Sequence, residues 1–264
     1  MAAPAASAAP DIGSTASPLV MGESFAIESK ILGETRRINV FASRGYALAA
    51  DAPLPVLYMP DGGIREDFLH IAGLLQVSVD NGTMRPFMLV GIENTQRRRD
   101  MTGPTQNAED KKIAPVVGGS AAFRHFMKDE LMPAVRGRYR TTGETAIVGE
   151  SLAGLFVVET FLLEPDMFNS YLAFDPSLWW NNGALLGRIE PLLAQRQGPP
   201  QTLYLASSSE SGLAQGAQQL AAALAARAPA GLRWHHESMP QETHASIYHP
   251  AALKAFRTVF KPEK

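Results

Sequence analysis

The segment Thr145-Ala-Ile-Val-Gly-Glu-Ser-Leu-Ala-Gly154 contains a buried strand that passes directly into a buried helix. Residues 146–148 form the short apolar run of an enclosed strand. From Leu152 to Leu163 the chain is apolar on almost every side, which is typical of a helix in a protein interior. Ser151 therefore stands at a sharp junction between a strand and a helix.

Two small residues flank this serine. Gly149 precedes Ser151 by two positions and Ala153 follows it by two. A nucleophile elbow needs small residues at both places, because its tight turn holds the serine in a strained conformation that lifts the hydroxyl out of the sheet. The pattern Gly-x-Ser-x-Ala differs from the usual Gly-x-Ser-x-Gly by one methyl group, which we expect the turn to tolerate. We predict that Ser151 is a catalytic nucleophile.

The composition is that of one globular domain. The 264 residues are 45% hydrophobic, and we predict a single domain over residues 23–264 after a disordered Ala/Pro-rich tail at residues 1–22. A formal net charge of −2 predicts no long-range attraction to nucleic acid or to an anionic membrane. The absence of cysteine excludes disulfides, thiolate catalysis and cysteine-ligated metal. The composition leaves the oligomeric state open.

The first ten residues bear on the location of the protein. Met1–Pro10 has neither the basic start nor the apolar core of an intact secretory signal. We interpret it as the remnant of a removed signal, which predicts a periplasmic or secreted protein. The alternative is a disordered tail on a cytoplasmic protein. No apolar run approaches the ~18 residues of a membrane span.

Strand and helix patterns alternate along most of the chain. Phe25–Ile31 and Arg37–Phe41 predict an N-terminal antiparallel hairpin that turns around Gly33. Buried strands are predicted at Pro55–Met59 and Phe87–Ile92, and three further strands at Tyr171–Phe174, Thr202–Leu205 and Leu232–His236. With helical patterns between the strands, this order predicts an α/β fold with a mainly parallel central sheet and helices on both faces. In such a sheet, sites form beyond the carboxyl ends of the strands.

One segment interrupts this alternation. Residues 93–119 are rich in Arg, Thr, Gly and Pro and show little apolar periodicity. A loop of that length in a compact domain is either functional or disordered, and its position after a strand favours a loop that faces the substrate. The next segment, Ser120–Tyr139, has helical spacing and predicts one helix capped by Ser120.

A serine hydroxyl needs a neighbouring base before it attacks a carbonyl carbon, so a histidine is expected near Ser151. Among the six histidines, His244 lies in a polar loop between the last predicted strand and the last predicted helix. In hydrolases built on such a sheet, the base occupies this loop and follows the serine in sequence. We therefore predict His244 as the general base. The other five fall in predicted helices, in a predicted strand or before a proline: His70, His125, His235, His236 and His249.

The imidazole of a catalytic triad is oriented by a carboxylate. Glu210 is the first choice, because it follows the predicted strand Leu203–Leu205 in a polar turn. Asp175 is the alternative acid, at the end of the preceding strand. A Ser–His dyad without a third member also stays open.

The transition state of acyl transfer carries an oxyanion, which needs preorganised N–H donors. The amide of Leu152, just after the nucleophile and at the start of a helix, is one donor by geometry. A second donor is expected in the turn after the strand that ends at Met59. There, Gly62 and Gly63 allow the backbone to approach a substrate closely.

Other side chains that follow strands are candidates for contact with the substrate. Trp179 and Trp180 are expected either to form an aromatic wall or to pack in the core. Arg97, in the basic run at residues 97–99, is a candidate to attract an anionic ester. The sequence contains no cluster with metal-ligand spacing and no phosphate-binding glycine loop, so neither a metal nor a cofactor is predicted.

Four motifs carry a family resemblance: Tyr58-Met-Pro-Asp-Gly62, Ile92-Glu-Asn-Thr-x-x-Arg-Arg-Asp100, Gly149-Glu-Ser-Leu-Ala-Gly-Leu-Phe156 and Pro176-Ser-Leu-Trp-Trp180. They resemble the Putative esterase family of α/β-hydrolases, which includes siderophore (enterobactin-type) esterases, esterase D-like S-formylglutathione hydrolases, feruloyl esterases and mycolyltransferases. The likeness runs from about Phe25 to Phe260 and is strongest to the siderophore-esterase branch.

The resemblance implies an α/β-hydrolase fold, with Ser151 as nucleophile, His244 as base and an oxyanion donor in the segment after Asp61. It also implies that Arg99 and the aspartate that follows it fasten the long loop to the body of the protein. Asp175 stands where relatives often have serine, and some siderophore esterases of this kind work with a dyad. The resemblance therefore leaves the acid undecided.

Together these features predict a serine esterase that hydrolyses a small-molecule carboxylic ester through an acyl-enzyme on Ser151. Siderophore-type, aryl and short acyl esters are the candidate substrates. The first alternative is an acyltransferase that passes the same acyl group to an alcohol. The second is a non-catalytic binding protein that has kept the hydrolase fold.

Overall fold

The computed structural model describes residues 17–45, 48–196 and 199–262 and is built around an eight-stranded sheet. The strands are β1 (Glu23–Ser29), β2 (Glu34–Ser43), β3 (Leu54–Pro60), β4 (Phe87–Ile92), β5 (Thr141–Glu150), β6 (Ser170–Phe174), β7 (Gln201–Ser207) and β8 (Leu232–Ser238). Their order across the sheet is β1-β2-β4-β3-β5-β6-β7-β8. The pairs β1–β2 and β2–β4 are antiparallel, and the other neighbouring strands are parallel. The sheet is therefore mainly parallel with an antiparallel hairpin at one edge.

Helices cover both faces of this sheet. They are α1 (Phe68–Asp80), α2 (Arg97–Met101), α3 (Ala108–Ile113), α4 (Ser120–Phe126), α5 (Met132–Arg138), α6 (Leu152–Leu163), α7 (Trp180–Gly183), α8 (Ile189–Gln195), α9 (Ser211–Arg227) and α10 (Tyr248–Val259). Helices α1 and α10 pack in one apolar cluster, and α4, α5, α6, α8 and α9 pack in another. Each cluster fills one side of the sheet.

Strand β3 illustrates why the central strands are apolar along their whole length. Successive side chains of a strand point to opposite faces of the sheet. Val56 and Tyr58 belong to one apolar cluster, whereas Leu57 and Met59 belong to the other. Because both faces of the sheet are covered, every residue of this strand is buried.

The hairpin at the sheet edge has the turn that the sequence predicts. β1 and β2 pair from Glu23 with Val40 to Ser29 with Glu34. Gly33 adopts a φ of +67° in the turn, a conformation that a glycine reaches without the steric cost of a Cβ atom. β1 begins before its predicted start but ends at Ser29, short of the predicted end, and β2 extends beyond its predicted limits at both ends. The added residues are polar apart from Ala42, so apolar patterning is weak there.

The prediction for residues 93–119 needs correction. The segment contains the two short helices α2 and α3 instead of an irregular loop. In α3, the side chain of Asn107 caps the helix by accepting the amide hydrogen of Glu109. Helices of five and six residues are too short to produce a readable apolar period, so the sequence pattern missed them.

The helix predicted over residues 120–139 is present with a local change of winding. Between α4 and α5 lies a π-helical segment, Met127–Leu131, and Pro133 follows it. Pro133 has no amide hydrogen to donate to the carbonyl four residues earlier. The π-helical segment lies where this regular α-helical hydrogen bond is lost. Ser120 is not the cap: Gly119 occupies that position, and the Ser120 hydroxyl donates to Glu159 at 2.8 Å.

The carboxyl ends of the parallel strands meet at one edge of the sheet. Asp61 follows β3, Ser151 follows β5, Asp175 follows β6 and Ser208 follows β7. The loop that contains His244 lies between β8 and α10. The topology thus places these residues at the edge where parallel sheets form their sites.

Most of the predicted N-terminal tail, residues 1–16, lies outside the described residues, so the predictions of a disordered tail and of a removed signal stay predictions. Within the described ranges, no helix is both long enough and apolar enough to cross a membrane.

Candidate active site

Ser151 lies in a strained turn between β5 and α6. Its φ and ψ are 61° and −119°, which is a costly conformation for a residue with a Cβ atom. Its backbone is held on both sides, because its amide donates to the carbonyl of Phe174 at 3.0 Å and its carbonyl accepts the amide of Ser177 at 3.0 Å. The surrounding hydrogen bonds thus offset the strain that the turn stores.

The neighbours of Ser151 are small because the strand and the helix approach closely. A Cβ atom on Gly149 would lie 2.6 Å from the carbonyl carbon of Ala153 and 2.8 Å from its Cβ. A Cβ atom on Gly154 would lie 2.9 Å from the carbonyl oxygen of Phe174. Ala153 itself is fully buried and its methyl group fits. The turn therefore accommodates the alanine of the Gly-x-Ser-x-Ala pattern but requires glycine at position 149.

A chain of hydrogen bonds runs from the serine hydroxyl to a buried carboxylate. His244 Nε2 lies 3.1 Å from Ser151 Oγ, and His244 Nδ1 lies 3.1 Å from Asp175 Oδ2. Asp175 is fully buried, and its other oxygen, Oδ1, accepts the amide hydrogen of Ser208 at 2.6 Å. This is the spatial arrangement of a nucleophile, a base and an orienting acid.

Glu210, the first choice for the acid, does not make this contact. It precedes α9 as an exposed N-cap residue, and among the described residues its carboxylate forms no hydrogen bond or ion pair with His244. Its charge reaches the imidazole only as a weak attraction through space. A carboxylate at the positive end of a helix dipole is favourable there without a partner. Asp175, the alternative acid, holds the position beside the imidazole.

The imidazole of His244 and the buried carboxylate of Asp175 shift each other's proton affinity. The hydrogen bond with Asp175 raises the pKa of His244 above its ordinary value, although burial acts in the opposite direction. Burial favours a higher pKa for Asp175, but hydrogen bonds from His244 and Ser208 outweigh it and lower that pKa. The pair is therefore suited to an ionised carboxylate beside an imidazole that readily accepts a proton.

The sequence did not single out Glu150, which also faces the base. Its Oε1 lies 3.1 Å from His244 Nδ1, and its side chain is only 16% exposed. Burial raises the pKa of Glu150 to about 7, although attraction to His244 and Arg97 opposes the rise. The available signal was a charged residue at the buried end of β5, directly before Ser151.

The predicted oxyanion donors differ in what they bind. Leu152 is the first residue of α6, and a helix leaves its first amides without a partner inside the helix. The Gly62 amide is already used, because it donates to the carbonyl of Ile92 at 2.9 Å. The Gly63 amide donates to Glu66 Oε2 at 2.6 Å. The Leu152 amide thus has no partner inside its helix, the Gly63 amide is held by a side chain, and the Gly62 amide joins the ends of two strands.

The two tryptophans have different environments. Trp179 is 42% exposed, whereas Trp180 is 5% exposed. The Trp180 indole donates from Nε1 to the carbonyl of Gly103 at 2.8 Å, which ties the tryptophans to the segment after β4. Trp180 is therefore a buried anchor, and Trp179 presents an aromatic surface to solvent.

Asparagine side chains extend this connection between the tryptophans and the long segment. The Asn181 amide donates to Asp110 Oδ2 at 2.8 Å, and its side-chain oxygen accepts the amide of Gln106 at 2.9 Å. Asn182 accepts a hydrogen bond from the side chain of Asn107 at 3.1 Å. Both asparagines have positive φ, 51° and 54°, which this residue type tolerates better than most. The contacts join α7 to the segment around α3.

The basic run at residues 97–99 is largely paired inside the protein. Arg97 forms two hydrogen bonds with the carboxylate of Asp61, at 2.7 and 2.8 Å. Arg99 contacts Glu34 at 2.6 Å and Asp100 at 2.6 Å. Asp100 is also paired at 2.5 Å with Arg36, which is fully buried. Arg99 and Asp100 thus fasten the segment to the edge of the sheet.

No group of three or more His, Cys, Asp or Glu side chains in the described part of the chain is placed to hold a metal ion. His244 contacts the side chains of Ser151, Asp175 and Glu150 directly.

Comparison with known proteins identifies relatives over most of the chain. Residues 29–251 match the family model described as "Putative esterase". The ferri-bacillibactin esterase BesA of Bacillus subtilis strain 168 is 26% identical over 254 residues, 87% of this chain and 87% of that protein. The crystal structure of an IroE-like serine hydrolase from Shewanella oneidensis has a TM-score of 0.82 at 30% identity, covering 91% of this chain and 80% of that one. The siderophore hydrolase EstB from Aspergillus nidulans has a TM-score of 0.76 at 18% identity, over 94% of this chain and 98% of that one, and supports the fold alone.

The fold and these relatives define a hydrolase with the α/β-hydrolase architecture. The chain belongs to the Putative esterase family. The predicted fold class is confirmed, including the mainly parallel sheet and the N-terminal antiparallel hairpin.

Proposed function

We propose that this protein is a serine esterase that cleaves siderophore esters through an acyl-enzyme on Ser151. The observation that carries the proposal is the continuous path from Ser151 Oγ to His244 Nε2 and from His244 Nδ1 to the buried Asp175, with 3.1 Å at each step. Such a path lets the imidazole take the serine proton at the moment the hydroxyl oxygen attacks a carbonyl carbon.

The reaction proceeds in two steps, acylation of Ser151 and hydrolysis of the acyl-enzyme. Ser151 Oγ forms a bond to the ester carbonyl carbon while its proton passes to His244 Nε2. The tetrahedral intermediate then collapses, the C–O bond to the alcohol breaks, and the leaving oxygen takes that proton. The oxygen of a water molecule next forms a bond to the acyl carbon while one of its protons passes to Nε2. The bond between the acyl carbon and Ser151 Oγ then breaks, Oγ takes the proton from Nε2, and the acid is released.

Two groups support the charges that develop in these steps. The ionised Asp175 holds Nδ1–H of His244 and stabilises the imidazolium, so we assign the role of the acid to Asp175 instead of Glu210. The Leu152 amide is the first donor to the oxyanion. Gly63 is the second donor once a substrate displaces the Glu66 carboxylate that now accepts its amide hydrogen.

The substrate class follows from the relatives and from the rim of the site. The names of several relatives specify siderophore esters: ferri-bacillibactin, triacetylfusarinine C and iron(III) salmochelin. The exposed face of Trp179 offers a flat surface for an aryl or acyl group of such an ester. Arg97 is already paired with Asp61, so its contribution to binding an anionic group is small.

The test is covalent labelling combined with product analysis. We expect a fluorophosphonate probe to add to the native chain at a single site, with peptide mapping to Ser151, and to leave Ser151→Ala unlabelled. The native chain should convert a ferric siderophore ester to its acid, and Ser151→Ala should not. An unlabelled native chain would contradict the proposal. Transfer of the acyl group to an added alcohol in preference to water would identify an acyltransferase instead.

A further inference from the structure

The Nδ1 atom of His244 lies between two carboxylates. Asp175 Oδ2 and Glu150 Oε1 are each 3.1 Å from it. The contact with Asp175 has hydrogen-bond geometry, and the contact with Glu150 beside it becomes an ion pair when His244 is protonated. A triad needs one acceptor at this nitrogen, because a neutral imidazole carries only one proton there. The second carboxylate therefore needs its own explanation.

Glu150 has few other partners. Among the described residues, His244 Nδ1 is the only cationic or hydrogen-bonding group in direct contact with its carboxylate. Arg97 in α2 attracts it from further away, but both guanidinium contacts of that arginine go to Asp61. A carboxylate that is 16% exposed loses most of its hydration and is costly to ionise without a partner. Its position is explained if the imidazolium form of His244 is that partner.

We propose that Glu150 is a positioning residue that, together with Asp175, holds the Nδ1 side of His244, so that its ionisation state controls how readily His244 accepts the proton of Ser151. The inference extends the proposed esterase mechanism. It assigns to the residue before the nucleophile a role in setting the acidic limit of activity.

The direction of the effect follows from the charges that face the two groups. His244 is faced by Asp175 after β6, Glu150 at the end of β5 and, more remotely, Glu210 before α9. An ionised Glu150 favours the imidazolium and raises the pKa of His244.

Glu150 in turn is faced by several groups. They are His244, Arg97 in α2, Asp175 after β6 and Asp61 after β3. The two aspartates oppose its ionisation, and the two cationic groups favour it. Because Glu150 and His244 interact directly, their titrations are coupled. The effect of a variant is therefore the change in the titration of the whole pair.

The test is the titration of His244 by NMR in the native chain and in Glu150→Gln, which keeps the size of the side chain and removes its charge. We expect this variant to lower the pKa of His244 by about 0.5 to 1. Glu210→Gln is the matched control, because it removes a carboxylate that does not touch the imidazole, and we expect it to lower that pKa by less than about 0.2. An equal pKa in Glu150→Gln and Glu210→Gln would overturn the proposal.

The kinetic readout separates positioning from a purely structural role. In Glu150→Gln, the acidic limb of kcat/KM should move to lower pH by the same amount, with KM unchanged. Above that limb kcat should fall by about 3- to 10-fold, since the imidazolium loses one of two stabilising charges. Glu150→Asp, which keeps a charge further from Nδ1, should show an intermediate limb and recover part of kcat. An acidic limb that does not move in Glu150→Gln would contradict the assignment.

The NMR titration does not depend on turnover, so it distinguishes the failure of this proposal from the failure of the proposed function. A native chain that the fluorophosphonate does not label refutes the esterase. A His244 pKa that is the same in the native chain and in Glu150→Gln refutes the positioning role even in an active esterase.

Discussion

Asp61 and Arg97 form a two-point ion pair that joins the turn after β3 to α2. Arg97 Nε and Nη2 lie 2.7 and 2.8 Å from the two carboxylate oxygens of Asp61, which is only 7% exposed. The planar guanidinium matches both oxygens at once, which lysine cannot do. The pair holds the beginning of the long segment next to the strand end from which an oxyanion donor is expected.

Loss of this pair should destabilise the protein. We expect Arg97→Ala to lower the free energy of unfolding by about 1–3 kcal/mol, because the buried Asp61 loses both hydrogen bonds from Arg97 and keeps the one from Asn94. We expect Arg97→Lys to lose less. Urea unfolding measures the change. Arg98→Ala is the control, since the Arg98 side chain is exposed and, within the part of the chain that the structure describes, donates only to the carbonyl of Ile113. Equal losses in Arg97→Ala and Arg98→Ala would show that the ion pair adds no stability.

A second prediction follows from the close approach of β5 and α6 on either side of Ser151. Gly149→Ala should lower the free energy of unfolding by about 1–3 kcal/mol and reduce labelling of Ser151, since the new methyl group would lie within 2.8 Å of Ala153. Gly143→Ala is the control in the same strand, because a Cβ there meets nothing within 4 Å. Thermal unfolding and labelling rates measure both effects. A fully labelled, fully stable Gly149→Ala would mean that the turn is less crowded than these distances imply.

The acid should be revealed by a pair of isosteric variants. We expect Asp175→Asn to reduce kcat by about 10²- to 10⁴-fold, because His244 loses the acceptor that fixes its orientation and stabilises its charged form. Glu210→Gln should stay within about twofold of the native kcat, since its carboxylate makes no contact with the imidazole. Steady-state kinetics on one ester decides between them. The reverse ranking would restore Glu210 as the acid, and two small effects would favour a Ser–His dyad.

The partly buried Glu150 should make the stability of the protein depend on pH. Its folded-state pKa, about 7, lies above the usual glutamate value of 4.5, so its favourable contribution is present below 4.5 and is lost as the pH rises through 7. Glu150→Gln removes this dependence. As the pH rises from 4.5 to 7.5, we therefore expect the free energy of unfolding of Glu150→Gln to increase by about 1–3 kcal/mol relative to that of the native chain. Urea unfolding across that range measures the difference, which should be absent for Glu210→Gln.

Substitution of the two tryptophans should separate an effect on substrate binding from an effect on stability. Trp179→Ala should raise KM for an aryl or siderophore ester by about 3- to 30-fold with little change in unfolding, because Trp179 is 42% exposed. Trp180→Ala should lower the free energy of unfolding by about 3–5 kcal/mol, because a buried indole and its hydrogen bond to Gly103 are removed. Kinetics and thermal unfolding of both variants measure this. An unchanged KM in Trp179→Ala would exclude its aromatic face from the binding surface.

The sequence predicted the fold well because the fold depends on simple periodic signals. Apolar runs such as Phe87–Ile92 mark strands covered on both faces, and helical patterns between them imply parallel pairing. The sharp turn at Ser151 could be predicted because the close approach of strand and helix requires glycine at position 149 and leaves room for only a small residue at position 153. Signals of this kind are local, so they survive in a single sequence.

The acid and the second carboxylate could not be predicted, because their positions depend on the path of the chain in space. Asp175 and Glu210 both follow strands, but Asp175 has a φ of 41°, and its carboxylate reaches both His244 and the Ser208 amide. Nothing in the residue types predicts this backbone conformation. Glu150 was missed because strand periodicity says nothing about a loop that arrives from beyond β8.

The contacts of Trp180 and Asn181 with the segment around Gly103 and Asp110 have a consequence for engineering. These hydrogen bonds join two stretches that are far apart in sequence, so neither stretch can be exchanged alone without leaving an unmatched indole or carboxylate behind. A change of specificity by grafting would need to transplant residues 101–113 together with residues 176–183. Exchanging both stretches together should preserve the fold while changing which substrates the protein binds.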